Sequence, residues 1–162
     1  MSANDFERRL RVLEDIEEIR QLKARYCAAC DDSHNPDKLG ELFADNAVWE
    51  ATGVGRAEGR EAIKALLGGI GSSGTIRNSG HHALNPIIEV DGDRATGHWR
   101  LIMLYTAYRR DRSLEYRRIV GWYRERYARI DGRWQFEHLY CEVEEHAPYV
   151  IGETSSASIA AR

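Results

Sequence analysis

The segment "RYCAACDDSH", residues 25–34, holds two sets of residues that could do chemistry. Cys27 and Cys30 form a C-x-x-C, the spacing of a redox pair or of half a zinc site. Tyr26 and Asp31 are a phenol and a carboxylate five residues apart. A third set lies downstream in "SGHHALNP", where His81 and His82 are adjacent. A carboxylate that converges on an imidazole in an apolar pocket fixes the ring tautomer and stabilises the imidazolium. That arrangement makes a general base.

The two cysteines fall in the last turn of a helical pattern, at the negative end of the dipole. A reactive thiolate is favoured at the opposite end. No second C-x-x-C and no close histidine pair completes a zinc site around them, and Cys141 stands alone in a strand pattern. They read as small apolar residues packed between helix and sheet. Tyr26 lies on the apolar face of the helix, so its hydroxyl points inward and needs a partner. Asp31 and Asp32 sit where the helix ends. They read either as turn formers or, for Asp31, as a carboxylate with a partner elsewhere. Strand alternation places His81 and His82 on opposite faces, so one of them faces the concave side. A lone histidine there is an ordinary core residue; a histidine with a carboxylate is not. "TGVGRAEG", residues 52–59, has glycines at the wrong spacing for a dinucleotide site and lacks a surrounding βαβ unit, so it reads as a loop.

The elements that must position these residues follow from periodicity. Leu10, Leu13, Ile16, Ile19, Leu22 and Tyr26 recur every three or four residues, which predicts one amphipathic helix over about residues 5–30. "DDSHNPD" stops it. "PDKLGELFA" predicts a short second helix with Pro36 in its first turn. "NAVWEAT" predicts a strand. "GREAIKALLGGI" predicts a third helix closed by Gly68 and Gly69, and "GSSGTIRNSG" a loop. From about residue 81 the chain is rich in β-branched and aromatic residues, cut by Asp-Gly hairpin signals in "VDGDR" and "IDGRW". The charged turn "RRDRSLE" reads as a solvated tip. Helices first and a long antiparallel sheet after predict an α+β fold, with the N-terminal helices on one face of a curved sheet. A single domain over residues 1–146 and a small, polar tail over 147–162 are expected.

Composition narrows the function. The chain has 162 residues, 43% hydrophobic and 30% charged, with a formal net charge of −3. That balance offers no general attraction for nucleic acid or anionic lipid. No apolar run reaches the roughly 20 residues of a membrane span. "MSANDFERRLRVLEDIEE" lacks an apolar signal core, so a cytoplasmic location is expected. Three cysteines do not suggest a disulfide framework.

Four stretches, "DIEEIRQLKARYCAACD", "GRAEGREAIKALL", "HHALNPIIEVDGDRATGHW" and "YRERYARIDGRWQFEHL", resemble the SnoaL-like branch of the nuclear transport factor 2 (NTF2) superfamily. The resemblance covers about residues 12–146. The pattern is similar to that of bile acid 7α-dehydratase, hexachlorocyclohexane dehydrochlorinase and scytalone dehydratase. It implies a cone-shaped α+β barrel, lyase chemistry without cofactor or metal, and a homo-oligomer, a trimer with a dimer as the alternative. Carried over by position, the family's helix-end aspartate falls on Asp31 and the tyrosine five residues before it on Tyr26. A histidine four residues before an asparagine selects His81, with Asn85 following. The resemblance thus implies Asp31 and His81 as a dyad, with Tyr26 beside it. Two positions depart from the pattern. Met103 stands where the bile acid enzyme has an acidic residue, and His138 where the dehydrochlorinase has an arginine.

Alternation along the predicted strands lines the pocket with Trp49, then Leu101, Met103 and Tyr105, then Phe136, His138 and Tyr140. That lining suits a small, cyclic, largely hydrophobic substrate. The expected reaction is an elimination: His81, oriented by Asp31, removes a proton next to an activating group, and Tyr26 or His138 hydrogen-bonds the oxygen that departs or develops charge. An isomerase or cyclase of the same fold, or a binding protein without turnover, are the alternatives.

Overall fold

The computed structural model describes residues 3–150. Helix α1 (Ala3–Asp31) is followed by α2 (Pro36–Gly40), β1 (Phe43–Ala51), β2 (Gly55–Glu58), α3 (Arg60–Ser72) and four long strands. These are β3 (Ile76–Asp91), β4 (Arg94–Tyr108), β5 (Leu114–Ile130) and β6 (Arg133–Pro148). They form one curved sheet in the order β2-β1-β6-β5-β4-β3. The fold is α+β, as the order of helical and strand patterns predicts. The sheet does not close on itself: β2 and β3 are its edges, and the helices complete the cone.

Several details depart from the sequence reading. The sheet is mixed, because β1 runs parallel to β6 while every other pairing is antiparallel. Hairpin signals report only neighbours in sequence, so a pairing between the first and last strands leaves no local trace. The second helix is one turn shorter than expected, and Phe43 already belongs to β1. Part of the glycine-rich "TGVGRAEG" forms β2. Helix α3 runs through Gly68 and Gly69 to Ser72, and β3 starts at Ile76, inside the expected loop. β6 extends to Pro148, and the rest of the expected tail beyond residue 150 lies outside the described residues. Leu10 and Leu13, counted on the apolar face of α1, are exposed.

The buried face of α1 begins at Asp15 and runs through Ile19, Leu22, Lys23, Tyr26, Cys27, Ala29 and Cys30. Two charged residues on that face are paired. Asp15 receives Arg129 and the Trp134 indole. Lys23 Nζ donates to Glu125 Oε1 at 2.5 Å, with the two side chains 1% and 0% exposed. The ammonium also sits 3.1 Å from the centroid of the Tyr123 ring, and Glu125 accepts from the Tyr127 hydroxyl. Tyr127 in turn accepts from Trp99 Nε1 at 3.0 Å. Every polar atom of this network is therefore engaged, which is the condition for tolerating buried charge.

Removing one partner should leave the other charge stranded. Lys23→Met or Glu125→Leu alone is expected to cost about 3–5 kcal/mol in urea denaturation. The double variant should recover much of that loss, but not all of it, because Tyr127 still loses its acceptor.

Candidate functional site

The site forms where α1 ends against the edge strand β3. Asp31 is the last residue of α1 and faces Ser79 and His81. Its Oδ1 accepts from Ser79 Oγ at 2.8 Å. The backbone N–H of His81 donates to Oδ2 at 3.0 Å. The imidazole Nδ1 of His81 lies 2.6 Å from Oδ1, and the His81 side chain is 8% exposed. A carboxylate accepts only, so Nδ1 carries a proton, and in the neutral ring Nε2 is the nitrogen with the lone pair. Burial alone would push the Asp31 carboxyl up. The hydrogen bonds and charge of His81, together with Ser79, outweigh it and hold the carboxyl below its usual range.

His81 lies in the wall of a cavity of about 230 Å³ enclosed by α1, α3 and the sheet. The volume falls below the roughly 300–1,000 Å³ of drug-sized sites, so an occupant must be small. Trp49, Leu101, Met103 and Tyr105 line it, together with Tyr26. The Tyr26 hydroxyl accepts from Trp49 Nε1 at 3.0 Å and donates to the Cys30 thiol. Burial raises the phenol well above its ordinary range, so it stays protonated. His82 points away and bonds the carbonyl groups of Gly80 and Ile102.

The last strand corrects the rest of the lining. Phe136 is fully buried, but it packs beneath the cavity against Tyr26, Phe43 and Tyr127. His138 and Tyr140 lie on the opposite face of the sheet, where His138 Nε2 meets Glu50 Oε1 at 2.7 Å. The cause is two single-residue bulges in β6. Between Phe136 and His138, and again between Val143 and Glu145, the pairing with β5 slips by one residue. Each slip exchanges inward and outward positions. Cys141, Val143 and His146 line the cavity instead. His146 Nε2 lies 2.5 Å from the Tyr105 hydroxyl and accepts from Arg117 Nε at 3.1 Å. The first bulge carries no glycine or proline, so alternation gives no warning of it; the second lies opposite Gly121 of β5, where a Cβ would fall 2.0 Å from the Glu142 carbonyl oxygen. Asn85 does mark a bulge in β3: it sits at φ 50°, where asparagine is tolerated, beside a register shift between Leu84 and Ile87.

Among the other residues that reach the cavity without being singled out for it are Cys30 and His34. After α1, Ser33 and His34 both adopt the left-handed region, at φ 55° and 51°. The turn folds His34 back under the helix end and 5.9 Å from the His81 ring. Gly71 of α3 makes this possible, because a Cβ there would fall 1.8 Å from the Ser33 carbonyl oxygen. Burial, reinforced by the neighbouring His81, pushes the His34 imidazole down to about 4, so it stays neutral. Burial pushes the thiols of Cys27 and Cys30 up, and that of Cys141 to about 11, so all three remain protonated at neutral pH. The C-x-x-C therefore packs as a pair of buried thiols, consistent with its place at the wrong end of a helix.

These shifts give stability two separate acid limbs. His34 takes up its proton near 6.5 when unfolded but only near 4 when folded. Stability should therefore fall as pH drops from about 6.5 to about 4, and His34→Asn should flatten that limb. The folded Asp31 carboxyl titrates below its unfolded value of about 3.9. Its contribution is fully present above that value and lost as pH falls through the lower folded one. Asp31→Asn should thus be less stable than the parent at pH 7, and the gap should close below about pH 4. Urea midpoints across pH 2.5–8, a range set to span ~6.5 and ~3.9, check both limbs.

Comparison with known proteins gives the geometry a context. The SnoaL-like domain matches residues 11–140. Among curated proteins none matches the sequence. Solved structures share the fold. The hexachlorocyclohexane dehydrochlorinase LinA superposes with a TM-score of 0.78 at 21% identity, covering 87% of this chain and 93% of LinA. LinA-type3 from Novosphingobium barchaimii LL02 gives 0.76 at 22%, covering 87% and 94%. A scytalone dehydratase candidate from Novosphingobium aromaticivorans DSM 12444 gives 0.73 at 24%, covering 86% and 90%. With the helix-on-sheet cone and a match across most of its length, this chain belongs to the SnoaL-like domain family.

Proposed function

We propose that this protein is a lyase that removes a proton and a leaving group from adjacent carbons of a small, cyclic, largely apolar substrate. The observation that carries the proposal is the 2.6 Å contact between Asp31 Oδ1 and His81 Nδ1 at the wall of an apolar cavity. Nε2 of His81 takes the proton. The electrons of the C–H bond become the new double bond, and the leaving group departs with the pair that bound it. Asp31 stabilises the imidazolium that results. Tyr26, protonated, turns its hydrogen from the Cys30 thiol to the departing atom or to an oxygen that gains charge. The similar structures are named for eliminations, from hexachlorocyclohexane and from scytalone, and the small apolar cavity suits compounds of that size. The sequence resemblance implies a homo-oligomer, a trimer before a dimer, which sedimentation at micromolar concentration would read directly.

Release of chloride from hexachlorocyclohexane isomers and loss of water from scytalone are the first assays. His81→Ala should lower the rate on any active substrate by about 10²–10⁴-fold. Asp31→Asn should also be severe, and the double variant little worse than the worse single one. His82→Ala, on the other face, should keep near-parental rates. Retention of rate by His81→Ala, with the fold intact, would overturn the assignment.

A further inference from the structure

The end of α1 and the turn after it bring together three side chains that the proposed elimination does not require as a group. Cys30 Sγ and one ring nitrogen each of His34 and His81 lie within 4.8 Å of one another. We propose that these residues form a zinc-binding site at the wall of the cavity, with Cys30 and His34 supplied by a C-x-x-x-H segment and His81 by the edge strand.

Three observations support the site. The first is the donor set. One thiolate and two imidazoles suit a borderline-soft divalent ion, and three protein ligands leave a fourth position facing the cavity. Zinc places its ligands at roughly 2.0–2.3 Å, and atoms already within 4.8 Å of one another need shifts of only about 1 Å to reach it. The second is His34. It is 7% exposed, lines the cavity, and has no hydrogen bond to either ring nitrogen among the described residues. It is also held in a left-handed turn, with its backbone N–H bonded to the Cys30 carbonyl at 3.0 Å. The third is Asp31. By holding Nδ1 of His81 it leaves Nε2 as the donor, the carboxylate–histidine arrangement that orients metal ligands. The linear C-x-x-C, by contrast, contributes only Cys30, because Cys27 does not join the cluster.

Binding would convert the Cys30 thiol to a thiolate and release one proton to solvent. It would also occupy the His81 lone pair that an elimination uses, so zinc and base catalysis would exclude each other. The inference itself does not rest on the elimination, and its test reads no activity.

The test is titration of the chelator-treated full chain with cobalt(II), followed by displacement with zinc. The expected result is saturation at one ion per chain, a thiolate-to-cobalt charge-transfer band, tetrahedral ligand-field intensity, and release of one proton per ion. Cys30→Ser should remove the charge-transfer band and Cys27→Ser should keep it. His34→Asn should abolish saturable binding, and Asp31→Asn should weaken it about 10–100-fold. Absence of saturable binding to the parent chain would overturn the proposal. So would binding without the thiolate band, or binding unchanged in both Cys30→Ser and His34→Asn. Because the band and stoichiometry are read on the parent chain, they decide the matter even where a variant fails to fold.

Discussion

A lysine and a glutamate with no access to water fix the long helix on the sheet. The Lys23–Glu125 pair is worth having only at one register, because a shift of either element strands two charges. Apolar packing alone would tolerate sliding by a turn; this pair does not. Asp15, Lys23 and Asp31 fall eight residues apart along α1, each meeting a polar partner on the sheet. The spacing covers about 24 Å of helix at 1.5 Å per residue. The middle pair sets where the helix lies, and the position of its last carboxylate follows.

That last carboxylate does two jobs with one set of atoms. Asp31 takes the Ser79 hydroxyl and the His81 backbone, which ties the helix end to an edge strand, and it takes the His81 ring, which fixes a tautomer. An edge strand is the part of a sheet least constrained by its neighbours. Here the clasp supplies the missing constraint at the residue where precision matters for chemistry. The same clasp explains why His34 and Cys30 come near His81: all three hang from the end of one helix or from the strand bound to it.

Much of this was legible in the sequence, and the exceptions share a cause. Period and turn chemistry indicate the long helix, the third helix and the four long strands, because those signals are local. The identity of the inward residues on β4 follows from uninterrupted alternation, and Leu101, Met103 and Tyr105 all line the cavity. On β6 the same rule fails after Phe136, since a bulge without glycine or proline is invisible to a count of two. The parallel pairing of β1 with β6 is equally silent. His34 is hidden for a different reason. It sits in a cluster of turn formers, and only the close approach of Gly71 shows that the turn folds inward rather than out to solvent.

The pairing of the first strand with the last has a consequence for how the chain reaches this state. Val48 pairs with His138, and Lys23 with Glu125, so contacts that complete the cone join residues about 90 and 102 positions apart. Closing such loops is slow relative to forming the β3–β6 hairpins, whose partners are near neighbours. During synthesis α1 emerges first and must wait for β5 and β6 before its inner face is covered. An all-apolar face left open for that interval would invite aggregation. Asp15, Lys23 and Asp31 interrupt it with charge at every second turn, so the residues that later fix the helix in place also keep it soluble while it waits.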